Sequence, residues 1–347
     1  MSDLREHHPL CHLDELAIHQ SNEPLRYVAT TDPRAFERYW FTAQDDSGEI
    51  FIVAGIGLYP NLGTTDAYAM IVHDGKQTTV RAHRAIGQNR ADLTIGPLAF
   101  QLIEPFREWR LTLGPNDQDF CFDLRWFDTK RAVFRRMDRT VNIPGGPDFR
   151  LLHNWAGYET FGRIAGTVSH RGKTFSLERT RTRGSRDHHW GTRDHVAGIE
   201  ITKIKPFTHK GQSLNFSHLG QWVEFKDWSI WGNQILFNLG DPQPGAMLIE
   251  QIEQKLRFDP ETKHLVGACI VNRLPNGELR EVVYEQIGRQ CAYLRAGMYT
   301  GCNGMGTPDK NIFHGTDVGE LVEGYTYDLT DPSVRMRIAG FEDHLMR

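Results

Sequence analysis

The chain has 347 residues, 40 Lys+Arg against 44 Asp+Glu, and 39% hydrophobic residues. That balance belongs to a folded globular protein and excludes a disordered chain. No basic stripe marks a nucleic-acid binder, and no apolar run nears the roughly 20 residues of a membrane-spanning helix.

The first residues, MSDLREHHPLCHLDEL, lack an apolar signal core, so a cytoplasmic location is expected. His7, His8, His12 and His19 fall in a loose arm. Cys11, Cys121, Cys269, Cys291 and Cys302 form no CxxC pair and read as reduced thiols. Helical spacing is visible only at 9–18 and 33–40; elsewhere the pattern is β. Runs at 50–57, 67–74, 77–86, 98–104, 107–113 and 119–126 are short and rich in β-branched and aromatic residues. Residues 137–150 read as a connector around Pro144-Gly145-Gly146-Pro147. Strands resume at 161–169 and 174–180. Their turn, His170-Arg171-Gly172-Lys173, echoes His73-Asp74-Gly75-Lys76, and such an echo suggests two similar β units. Further runs lie at 219–225, 233–238, 246–258, 264–272, 278–287, 290–299, 321–328 and 334–340, with Asn276-Gly277 as a two-residue hairpin signal. The expected architecture is all-β: two lipocalin-like β-barrel or sandwich units in tandem, over 1–195 and 196–347.

Familiar cofactor motifs fail on inspection. Gly55-Ile56-Gly57 follows a strand, but Pro60 takes the third glycine's place and no crossover helix follows. The glycine-rich stretch 301–306 lacks the Lys-Ser/Thr of a phosphate loop. Of the tryptophans, Trp40, Trp109, Trp126, Trp155 and Trp222 read as core, and Trp228 and Trp231 as walls of a cavity.

The densest ionisable cluster is 179–195, RTRTRGSRDHHWGTRDH. Three readings compete. His189 and Asp187 share a strand face and would suit a metal ion, whereas the adjacent His188 and His189 would not. Arg186, Arg193, Asp187 and Asp194 would suit a buried ion-pair lock between β units. Asp187 beside Trp190, away from water, would suit acid–base chemistry, with the indole steadying a developing cation. That third reading needs a kink at Gly184 or Gly191 to bring Asp187 and Trp190 to one face. Tyr158-Glu159 would add a second carboxylate if its strand lay alongside.

Residues 158–191 resemble the carotenoid 1,2-hydratase and AttH-like superfamily of tandem lipocalin-like proteins. Tyr158, Gly166, Val168, Gly172, Asp187, His188, Trp190 and Gly191 carry the resemblance. Arg-Asp-His-x-Trp-Gly-x-Arg-Asp at 186–194 is closest to an uncharacterised bacterial branch of that superfamily, as is the segment around 38–61. The resemblance implies a hydrophobic cavity and no organic cofactor. The expected activity is a cofactor-independent hydratase, dehydratase or isomerase for a terpenoid, steroid or aromatic compound, requiring no metal. Asp187 is the expected acid, His188 its positioner or base, and Glu159 a second carboxylate. Trp190, Tyr158, Trp228 and Trp231 would hold the substrate, while Arg186, Gly191, Arg193 and Asp194 brace the junction. A non-catalytic carrier of a lipid-like ligand is the alternative.

Overall fold

The computed structural model describes residues 27–87, 89–140, 151–193, 196–199, 208–209, 212–213, 220–232, 234–237, 245–296, 314–338 and 342–346. Antiparallel strands dominate. The first twelve are β1 (Ala35–Asp45), β2 (Ile50–Tyr59), β3 (Thr64–His73), β4 (Lys76–Ala85), β5 (Thr94–Ile95), β6 (Leu98–Glu104), β7 (Glu108–Leu113), β8 (Phe120–Asp128), β9 (Val133–Thr140), β10 (Leu151–His170), β11 (Lys173–Leu177) and β12 (Thr182–Thr192). Then come β13 (Thr208–His209), β14 (Gln212–Ser213), β15 (Gln221–Glu224), β16 (Trp228–Gly232), β17 (Gln234–Phe237), β18 (Gly245–Leu248), β19 (Glu250–Phe258), β20 (Leu265–Arg273), β21 (Leu279–Tyr293), β22 (Leu321–Asp328), helix α1 (Pro332–Ile338) and β23 (Glu342–Met346).

One sheet holds β1 to β12 and β22, in the order β22-β4-β3-β2-β1-β12-β10-β8-β7-β6-β5, with β9 and β11 paired to other stretches of β10. β15 to β18 form a second sheet, and β19, β20, β21 and β23 a third. The all-β, lipocalin-like fold class is therefore present. β22 follows residue 195 by more than a hundred positions, yet it pairs with β4 from Leu321↔His83 to Asp328↔Lys76. The two echoing turns also share the first sheet, and His73 Nδ1 lies 3.2 Å from His170 Nδ1.

The sheet curls, because side chains from both of its ends meet in one core. Ile52, Ala69, Ala82, Leu98, Trp109, Leu124 and Trp126 pack together on the inner face. Trp109 and Trp126 are almost completely buried there. The outer face carries a second core. There Trp40, Val53, Met70 and Phe161 meet Trp231, Tyr293, Leu329 and Ile338 from the C-terminal part of the chain. Fully burying one aliphatic side chain of this kind contributes about 1.5–3 kcal/mol.

Two elements differ from the sequence expectation. Of residues 33–40, 35–40 belong to β1 and none to a helix: Trp40 faces one core while Tyr39 and Phe41 face the other, so burial on both sides blurs the strand's alternation. Residues 334–340 were expected as a strand, but α1 covers 332–338. Asp331 Oδ1 caps it by accepting from the Ser333 N–H at 2.8 Å, and Pro332 suits the first turn. At the hairpin between β20 and β21, Leu274 N–H donates to the Glu278 carbonyl and Gly277 has φ +84°. The loop is thus three residues long, not two. Among the described residues no helix is long and apolar enough to cross a membrane.

Gly184 of β12 marks a close approach. A Cβ there would stand 1.8 Å from the Thr42 carbonyl oxygen on β1. Backbone cannot yield as a flexible side chain can, so Gly184→Ala is expected to cost about 3 kcal/mol or more, in the range of severe overpacking. Urea unfolding of the variant checks it.

Candidate active site

The outer face of the first sheet carries two polar rows that cross seven strands. Residues directly opposite in antiparallel strands point to the same face. One row runs His83, Asp66, Gly57, Arg38, His189, Gly157, Arg135, from β4 to β9. The next runs Arg81, Tyr68, Gly55, Trp40, Asp187, Glu159, Val133. Local sequence shows none of this; register alone assembles it.

Glu159 and Asp187 are therefore direct cross-strand neighbours, with His189 beside both. His189 Nε2 lies 3.2 Å from Glu159 Oε1, and its Nδ1 lies 3.7 Å from Asp187 Oδ2. Arg38 Nη2 reaches Asp187 Oδ2 at 3.1 Å and His189 Nδ1 at 3.3 Å. A guanidinium only donates, so His189 Nδ1 is the acceptor and Nε2 carries the hydrogen toward Glu159. Arg135 Nη1 stands 3.5 Å from Glu159 Oε1, and the Trp155 ring lies 4.6 Å from the His189 ring.

Burial sets the protonation of this cluster. It pushes the Glu159 carboxyl up to about 8, with Arg135 opposing and Asp187 adding to the rise. Burial also raises Asp187, against the pull of Arg38, Arg193 and Arg135. Burial, reinforced by Arg38 and Arg135, holds His189 well below the ordinary imidazole range. At neutral pH, Glu159 is a neutral acid and His189 a neutral imidazole, so their contact is a hydrogen bond rather than an ion pair. Glu159 Oε2 and Asp187 Oδ1 are buried without a hydrogen-bond partner among the described residues.

His188 lies on the other face and does not position Asp187. Its Nε2 is 2.9 Å from Glu37 Oε1, its ring stacks on Tyr39 at 4.0 Å, and Glu37 Oε2 accepts from Arg90 at 2.7 Å. Trp190 shares that inner face, 5.1 Å from the His188 ring, and Tyr158 lies 5.4 Å from the same ring. The kink expected at Gly184 or Gly191 is missing: pairing of β10 with β12 runs unbroken from Arg183 to Thr192. Asp187 and Trp190 thus stay on opposite faces. Gly191 itself has φ +129°, and a Cβ there would lie 2.3 Å from the Asn154 carbonyl oxygen.

Arg186 pairs not with a motif carboxylate but with Asp128 of β8, through Nε at 2.8 Å and Nη2 at 2.5 Å. Arg193 sits over the Phe36 ring at 5.4 Å. Asp194 lies outside the described residues, as do the 9–18 segment and the 301–306 loop. Trp228 and Trp231 do not share a cavity wall. Trp228 stacks on Phe225 at 4.1 Å, while Trp231 meets Trp40 and Phe161 edge-on in the outer core. For the metal reading, Arg38 holds the position between Asp187 and His189. No group of three or more His, Cys, Asp or Glu suited to a metal is present among the described residues.

Sequence reading missed Arg38, Arg135 and Trp155, and weighed His189 only as a metal ligand. Arg38 did fall within the segment that carried the resemblance. Its partners, however, lie about 150 positions away, and only strand pairing connects them.

A family described as a family of unknown function, DUF8625, matches residues 10–230. The chain belongs to that family. The matched span includes β1 to β12 and both polar rows. No curated protein matches the chain. Solved structures similar to this DUF8625 member include an AttH-like protein from Nitrosomonas europaea, at 15% identity and TM-score 0.36, covering 75% of this chain and 73% of that one. Kievitone hydratase from Nectria haematococca follows, at 12% identity and TM-score 0.36, covering 84% and 76%. CghA, solved with Sch210972, has 9% identity and TM-score 0.25, covering 72% and 87%.

Proposed function

We propose that the protein is a cofactor-independent hydratase or dehydratase whose acid is Glu159 and whose base is Asp187. One observation carries this reading: two buried, cross-strand carboxyls whose surroundings differ. Burial raises both carboxyls, Glu159 to about 8, but at Asp187 the Arg38 guanidinium at 3.1 Å opposes that rise. Paired carboxyls in unlike surroundings are what acid–base chemistry uses. The roles are exchanged relative to the sequence reading, which made Asp187 the acid.

In the dehydration direction, Glu159 donates its proton to a leaving hydroxyl. The C–O bond breaks, water departs and a carbocation remains. Asp187 Oδ1 then takes a proton from the neighbouring carbon, and the C–H electron pair becomes the double bond. His189 resets the site by accepting the proton from Asp187 at Nδ1 and passing its Nε2 hydrogen to Glu159. Trp155, beside His189, offers an aromatic face worth about 2 kcal/mol to a desolvated cation. Hydration is the same path reversed.

The test is oxygen exchange. Native mass spectrometry and denaturing extraction identify a bound organic molecule. That molecule, with a panel of terpenoid, steroid and aryl alkenols, is incubated with the protein in H2(18)O. The expected result is label incorporation that falls at least about a hundredfold in Glu159→Gln, which lacks the acid for C–O cleavage. Binding without label incorporation by the unaltered protein would instead favour a carrier.

A further inference from the structure

The third sheet ends in an open edge. Its order is β19-β20-β21-β23, so β19 pairs on one side only, with β20. Among the described residues no strand bonds to its far side. Its sequence, EQIEQKLRF, is exposed at every position but Gln251, which is half-buried. Ile252, Leu256 and Phe258 are 37%, 40% and 54% exposed. Proteins usually blunt such an edge, because unpaired N–H and C=O groups offer a template for another strand. Here no proline interrupts the strand, and both register shifts of its ladder fall at the ends, between Gln251 and Glu253 and between Arg257 and Phe258. Residues 253–257 are left as regular strand.

Register fixes which face each side chain takes. Glu253, Lys255 and Arg257 stand opposite Val271, Cys269 and Gly267, on the outer face of the sheet. Gln254 and Leu256 stand opposite Ile270 and Ala268, which belong to an apolar cluster with Ile230 and Val282. The outer face of the edge therefore carries charges of both signs, and its inner face ends in an exposed leucine. Lys255 Nζ already lies 3.0 Å from Glu253 Oε1. Laid antiparallel to a copy of itself, this strand is complementary in one register. With Gln254 opposite Gln254, Glu253 meets Lys255 and Ile252 meets Leu256, on both sides of the centre. A shift of the centre by one residue sets Glu253 against Glu253 or Lys255 against Lys255. Opposite charges directly across an antiparallel pair stabilise it, and like charges oppose it.

We propose that β19 pairs antiparallel with the β19 of a second copy of this chain, about a twofold axis at Gln254, joining two four-stranded sheets into one. Glu253 and Lys255 of both copies then form a four-charge group on the outer face. Ile252 of each copy covers Leu256 of the other, which extends the cluster around Ile270 and Ala268. Twofold symmetry makes the patch its own partner, so every favourable pair occurs twice. One strand edge is a small contact, and the dimer dissociates on dilution. Nothing in it depends on the acid–base cluster, which lies on the first sheet.

Sedimentation velocity of the full chain over about 1 to 300 μM tests the pairing. A monomer–dimer equilibrium is expected. Glu253→Lys sets lysine against lysine, and Lys255→Glu sets glutamate against glutamate. Each variant alone is expected to dimerise at least about tenfold more weakly, because symmetry reverses two pairs at once. Mixed in equal amounts the two variants are complementary again, and their heterodimer is expected to match the unaltered dimer. The mixture also guards against misfolding, since a chain that had lost its fold would not be rescued by another. A single chain carrying both Glu253→Lys and Lys255→Glu is expected to dimerise normally, because only an axis at Gln254 sets these two positions against each other. A monomer at every concentration overturns the proposal and would leave the edge to a strand of another protein. So does a dimer that neither reversal weakens, or a mixture no more associated than its separate components. A doubly reversed chain that stays monomeric overturns the register.

Discussion

Glu159→Gln is expected to abolish turnover while making the protein less sensitive to rising pH. Loss of a positioned general acid typically costs about 10²–10⁴ in rate. The stability effect follows from linkage. Burial lifts the Glu159 carboxyl from 4.5 to about 8 in the folded protein. Between those values the native state holds a proton that the unfolded chain has released. Stability from this group is therefore full below about pH 4.5, declines as pH rises, and is gone above about 8. The decline amounts to a few kcal/mol at most, or several degrees in melting temperature for a chain of this size. Thermal melts from pH 5 to 9 should show a steeper fall for the unaltered protein than for Glu159→Gln. Parallel curves would mean that Glu159 ionises normally, and the acid would have to be sought elsewhere. Asp187→Asn offers a contrast, because it leaves Arg38 without its carboxylate and should destabilise.

Arg186→Met is expected to be the most damaging of the single changes considered for stability. Asp128 accepts from Arg186 twice and from the Trp126 indole N–H at 2.7 Å, and its side chain is 4% exposed. Arg186 is completely buried, with Nη1 3.2 Å from the Tyr158 hydroxyl and its guanidinium over the Tyr158 ring. Removing the cation strands a buried carboxylate on one neutral donor. Breaking such a pair from one side costs about 3–5 kcal/mol. Replacing both partners is a different matter: Arg186→Met with Asp128→Leu should recover much of the loss, because no unpaired charge remains. Urea midpoints for the two single variants and the double variant form the cycle. A double variant as unstable as the sum of the singles would show that the pair contributes through packing alone.

Much of the fold was legible because strand alternation and turn chemistry are local. The turns at Asp74-Gly75 and Arg171-Gly172 need positive φ, and both adopt it. Residues 33–40 misled because β1 is buried on both faces, so that strand lacks the polar side that marks a half-exposed one. Residues 334–340 misled because a short helix capped by Asp331 offers too few turns for its period to show.

The site divides in the same way. The segment around Asp187 stood out by its density of ionisable groups, and strand periodicity already separated Asp187 and His189 from His188 and Trp190. Composition and periodicity also determined the all-β class and the two-faced strands. Tertiary structure alone decided that burial lifts the Glu159 carboxyl to about 8, since protonation depends on burial and on partners far along the chain. It joined Glu159 to Asp187 through the pairing of β10 with β12, and brought in Arg38 from β1. Register is a long-range property: each strand's own pattern fixes which side a residue faces, and only the neighbouring strand fixes what it meets there.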